Sequence, residues 1–140
     1  MTITSIELLD FLDQLHAELD VSLVAYKRYF TEGKLFLEAQ SLKKSNDSIR
    51  NLLLKHRYLL PSDQIQNADT LVYHLDIWAT LWEKREIQLK PNPDDLFVFE
   101  NQDTFPKNAV DSLQRYYESL NARENLYNAA SYNSETKNDI

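Results

Sequence analysis

The sequence predicts an all-α domain, a four-helix bundle of mostly up-and-down topology with one long loop between its third and fourth helices. Three observations carry that prediction. The 140 residues include one glycine and four prolines, too few turn formers for a sandwich or barrel, which need a turn every ~8–12 residues. Apolar residues recur at alternating intervals of three and four through four long segments, the repeat of one helix face. Breakers stand between the segments at Gly33, Pro61 and Pro91-Asn-Pro. A chain of this length has one domain as its expectation and buries roughly two-thirds of its unfolded surface.

The first helix is predicted over about 5–32. Thr4 and Glu7 have the spacing of a capping box, in which each side chain satisfies a free amide of the first turn. Leu9, Leu12, His16, Leu19, Leu23, Tyr26 and Phe30 then form one stripe, ended by Gly33. Leu8, Phe11, Leu15 and Val24 widen it, so this helix is expected to meet more than one neighbour.

The second helix, 34–60, repeats the spacing through Leu35, Ala39, Leu42, Asn46, Ile49, Leu53, His56 and Leu60. Pro61 cannot continue it, and Ser62 is the expected N-cap of a third helix over 63–89. Ile65, Ala68, Leu71, Leu75, Trp78, Trp82 and Leu89 make up its buried face, and both tryptophans are expected in the core.

The segment from Lys90 to Thr104 is long for a compact domain. It contains Leu96-Phe97-Val98-Phe99, a run too short for a helix and rich in strand formers. Two readings apply to it: a flap packed on the bundle, or an exposed apolar anchor, through Phe97 and Phe99, for another protein. Pro106 suits the first turn of a fourth helix, 105–130, whose stripe is Val110, Leu113, Tyr117, Leu120, Glu124 and Tyr127. Residues 131–140 are polar and read as a loose tail, leaving 1–130 as the single helical domain.

Charge is unevenly placed. The net charge is −7, which favours solubility and opposes general nucleic-acid binding. Residues 34–60 invert the sign, with Lys34, Lys43, Lys44, Arg50, Lys55 and Arg57 against Glu38 and Asp47. At 100° per residue Lys43, Arg50 and Arg57 form one row, with Lys44, Asn51, Lys55 and Tyr58 in the next. Both rows lie off the apolar stripe and are expected to face solvent. They read as a counterweight to neighbouring acidic helices, or as a docking surface for an acidic protein or RNA.

The chain has no cysteine, hence no disulfide, thiolate metal site or cysteine nucleophile. Its start shows no signal-peptide pattern, no window approaches a membrane span, and a cytoplasmic protein is expected. Asp13, His16 and Asp20 share a face of the first helix and His74 is available from the third, yet the paired glutamate-x-x-histidine motifs of di-iron bundles are lacking. No metal or cofactor is predicted. A serine elbow and a glycine-rich phosphate loop are also missing.

Arg50-Asn51, then His56 and Tyr58, resembles the signature of the HEPN family of small helical ribonucleases. The resemblance covers Arg50 to Tyr58. It implies a homodimer that places two motifs in one cleft and cleaves RNA without metal. Arg50 would stabilise the phosphorane, His56 would act as general acid or base, and Asn51 would orient the site. The alternative for His56 is a core histidine on the apolar stripe. Taken together, the residues favour a non-enzymatic interaction module acting on another protein, such as an accessory, immunity or antitoxin-like subunit of a defence or toxin system. Its expected binding residues are Lys43, Lys44, Arg50, Lys55, Arg57, Phe97 and Phe99.

Overall fold

In the computed structural model, which describes the backbone of residues 3–138 and the side chains of residues 6–126, the chain is an all-α four-helix bundle. Helix α1 spans Ile3–Thr31, α2 Phe36–His56, α3 Ser62–Leu89 and α4 Lys107–Asn138. Each helix packs on the next, and α4 closes onto α1.

The boundaries differ from the sequence expectation for local reasons. Helix α1 already includes Thr4, whose side chain lies outside the described residues, as does Tyr127 of α4. Helix α2 stops at His56 and gives way to a 3-10 turn, Arg57–Leu59, because Leu60 is held extended before Pro61. Pro61 itself is the N-cap of α3, and Ser62 is the first helical residue, with no side-chain cap. Helix α4 continues through the stretch expected to be a loose tail, as far as Asn138.

The turn between α1 and α2 is tight. Gly33 and Lys34 both adopt left-handed conformations, φ 93° and 59°. No neighbouring atom crowds a Cβ at position 33, so glycine is favoured there by its φ alone.

Among the described residues, two apolar clusters hold the bundle. The larger joins Phe11, Leu12 and Leu15 of α1 to Ile49 and Leu53 of α2, Leu71 and Leu75 of α3, and Leu113 of α4. The smaller gathers Phe36, Ala39, Trp82 and Phe97, with Tyr29, Trp78 and Phe99 packed on it. Phe97 is 0% exposed, so the 90–106 segment contributes a core residue. Leu96 faces solvent and forms an isolated bridge with Leu35, but the run makes no strand. Leu89, expected inside, is exposed at the end of α3.

The 90–106 segment is a flap tied down at many points. Its Pro93 and Asp95 carbonyls accept hydrogen bonds from the Leu37 and Phe36 amides at 3.0 and 2.8 Å, capping α2 where no side chain does. The Phe97 amide donates to the Lys34 carbonyl at 2.9 Å. The Tyr29 hydroxyl donates to the Phe97 carbonyl, and Arg85 Nε donates to the Val98 carbonyl at 2.9 Å. Nearer α4, the buried His74 bonds through Nδ1 to the Asp103 carboxylate at 2.7 Å, with Phe105 edge-on to its ring.

Among the described residues, four groups have proton affinities raised by this packing. Burial and then the neighbouring Tyr26 raise the pKa of Tyr29; burial and then Asp63 raise that of Tyr116. Tyr117 is raised chiefly by its hydrogen bond to Asp13. For Lys43 burial acts downward, but Asp47 and Glu83 outweigh it and the pKa is raised. In all four the fold favours the protonated form. Their contribution to stability is therefore complete below the unfolded values of 10.0 and 10.5 and is lost as pH rises through the folded ones. Urea unfolding followed by circular dichroism is expected to weaken above about pH 10, and Tyr29→Phe is expected to flatten part of that fall.

A candidate interaction groove

The basic row, Lys43 and Arg50 of α2 and Arg57 of the turn that follows, is only partly open to solvent and lies against α3. Lys43 pairs with Asp47 at 2.7 Å and with Glu83 at 3.4 Å, Arg50 with Asp76, and Arg57 with Asp69. The cations stand seven residues apart, and so do their α3 partners Asp69, Asp76 and Glu83, in reverse order. The two rows form an antiparallel ladder. That acidic repeat was the available signal for the pairing. Partly exposed pairs of this kind contribute about 0–1 kcal/mol each, so the ladder's main effect is to set the register of α2 on α3. Lys44, Asn51 and Lys55 do face outward, and Tyr58 is 69% exposed.

Within the chain, the Arg50-to-Tyr58 motif does not converge on one cleft. Arg50 and Asn51 border a shallow polar depression with Asp76, while His56 is half-buried with its ring 5.6 Å from that of Phe11 on α1. The expectation of an inward-turned histidine is met only in part.

His16 and His74 also go separate ways. His16 Nδ1 lies 2.9 Å from Gln114 Oε1 and its ring stacks on Tyr117, whereas His74 is held by Asp103. Among the described residues no three His, Asp or Glu side chains gather as metal ligands.

The open site lies elsewhere. Helix α4 begins at Lys107, so it reaches only part of the seam between α1 and α3. Its residues Ser112 and Gln114 meet Gln64 and His16. Beyond that point the apolar stripe of α1 continues without α4 beside it. Leu23, Tyr26 and Phe30, expected to be core, are 51%, 50% and 47% exposed.

Between this stripe and the flap runs a groove of about 720 Å³, within the size range of ligand clefts. One wall is Leu19, Leu23, Tyr26 and Phe30 of α1; the other is Phe99 and Phe105. Leu75, Trp78 and Trp82 of α3 lie at its base, Trp82 buried in the core and Trp78 half-buried. Of the two flap phenylalanines expected to bind, Phe97 reaches the groove only as a fully buried support for Phe99, 6.0 Å away between ring centroids.

The groove's polar groups are mostly engaged. Ser22 donates to Asn46 Oδ1 at 2.7 Å across its base, and His74 holds Asp103. Among the described residues no buried side-chain nitrogen or oxygen lacks a partner. Lys34 lies at one end with its ammonium 4.8 Å from the centre of the Phe30 ring, a cation–π contact. Such a surface selects by apolar area and shape. Sequence periodicity alone could not reveal it, because the stripe on α1 is regular whether or not a neighbour covers it.

No helix among the described residues is long and apolar enough to cross a membrane. In comparisons with known proteins, the chain matches no family model, no curated protein and no solved structure.

Proposed function

We propose that this protein is a non-enzymatic helical interaction module, and that it binds another protein through the aromatic groove between α1 and the flap. The observation that carries this reading is the open upper half of the α1 stripe. A contiguous exposed apolar surface with an aromatic lining marks an interaction site far more often than scattered surface leucines do. The basic face of α2 is the weaker candidate, since three of its cations are matched by α3 carboxylates. An accessory or antitoxin-like subunit fits a module of this type.

The test separates the two surfaces. In affinity capture from the native host's extract, Leu23→Asp with Tyr26→Asp is expected to remove a stoichiometric protein partner at least tenfold, with helical circular dichroism unchanged. Lys44→Glu with Lys55→Glu is expected to leave capture intact. Loss in the second pair and not in the first would move the site to α2.

A further inference from the structure

We infer that the occupant of the groove is an amphipathic α-helix of the partner protein, lying where α4 would continue had it begun three turns earlier. This deepens the reading above and rests on it.

The first argument is continuity. The seam that α4 fills beside His16 and Gln64 is the same seam that opens beside Leu23, Tyr26 and Phe30. From Leu19 to Phe30 the open wall spans eleven residue steps, about 16 Å at 1.5 Å per residue, or three helical turns. Its apolar residues stand at i, i+4, i+7 and i+11, a ridge that packs against a like-spaced ridge of another helix. An extended strand would need a free sheet edge for its backbone, and the described residues form no sheet. A helix satisfies its own backbone and needs only apolar area.

The second argument is charge. On the far wall Glu100 stands between the lining residues Phe99 and Asn101, and Asp103 is bonded to the lining residue His74. The end of the groove at the α1–α2 turn carries Lys34, which has no carboxylate within ion-pair distance among the described residues. The complementary helix therefore has lysine or arginine on the flank toward the flap and an acid near the Lys34 end.

The probe is a synthetic peptide of about four turns with leucines at i, i+4, i+7 and i+11, lysines along one flank and a glutamate near one end. Its control is a diastereomer of identical composition with alternating D-residues, which cannot form the helix. Trp78 borders the groove, so intrinsic fluorescence reports occupancy. The expected result is saturable binding at least tenfold tighter for the helical peptide, weakened when its flank lysines are replaced by glutamate, and abolished by Tyr26→Asp in the protein.

Equal binding of both peptides would overturn the helix assignment and leave the groove as a receptor. No binding of either would also overturn it, and the extract capture then decides separately whether the groove binds a protein at all. A wild-type chain that sediments as a dimer and becomes monomeric with Tyr26→Asp would show a second copy in the groove and overturn the inference as well.

Discussion

Replacing Phe97 with alanine is expected to be the most damaging single change, costing about 3–5 kcal/mol of folding free energy. Its ring is fully buried among Phe36, Trp82 and Phe99, at centroid distances of 5.1, 5.0 and 6.0 Å. The site has little freedom to collapse around the vacancy. The Phe97 amide and carbonyl are both bonded, to Lys34 and Tyr29, so the backbone is held while the side chain is gone. Against a total of about 5–15 kcal/mol for a typical domain, that is a large fraction, and a fall in Tm of roughly 10 °C or more follows. Phe97→Leu should recover part of the loss. Thermal melts of the three proteins check this, and a loss under about 1 kcal/mol for alanine would mean that the flap does not depend on that ring.

The second large effect contrasts two neighbours on α2. Leu53 is 0% exposed and touches the main cluster, while Leu54 is 45% exposed. Leu53→Ala is expected to destabilise by about 2–5 kcal/mol, because it removes transfer free energy and leaves a cavity. Leu54→Ala should stay within roughly 0.5 kcal/mol. Urea denaturation of both variants reads the difference. Equal costs would place α2 in a different rotation about its axis.

That contrast shows what was legible in the sequence. Ala39, Leu42, Ile49 and Leu53 recur at three and four because they face one direction, and the structure buries all four. The same rule assigned Leu23, Tyr26 and Phe30 to the core, where they are half exposed. Periodicity records the face a helix prefers to cover, while cover depends on where a residue distant in sequence, Lys107, starts the next helix.

The basic row posed the converse problem. Lys43, Arg50 and Arg57 were correctly placed off the apolar stripe, but not every residue off that stripe meets water. A neighbouring helix can approach its margin, and here α3 brings Asp69, Asp76 and Glu83 to it. The seven-residue spacing shared by the two rows was readable, though only as a match between segments. The ring of Phe97 inside the bundle was one of two readings of its segment, and the choice between them needed the tertiary contacts.

The site was the least legible part. The sequence marks Phe99 for binding and Phe99 borders the groove, whereas the same pattern gives core roles to Tyr26, Phe30 and Trp78. Residues that line a groove by being left uncovered carry the same local pattern as those that are buried. Arg50 and His56 illustrate a different limit. They are close in sequence, yet one leans toward α3 and the other toward α1.

The carbonyls of Pro93 and Asp95 that close the first turn of α2 belong to residues almost sixty positions downstream. During synthesis α1 and α2 emerge from the ribosome, and can pair through their short turn, well before those carbonyls exist. The start of α2 then waits for the whole of α3 to be made. Its leading amides are left to water until that point, and the nascent hairpin is completed by a clasp that arrives from the far side of the chain.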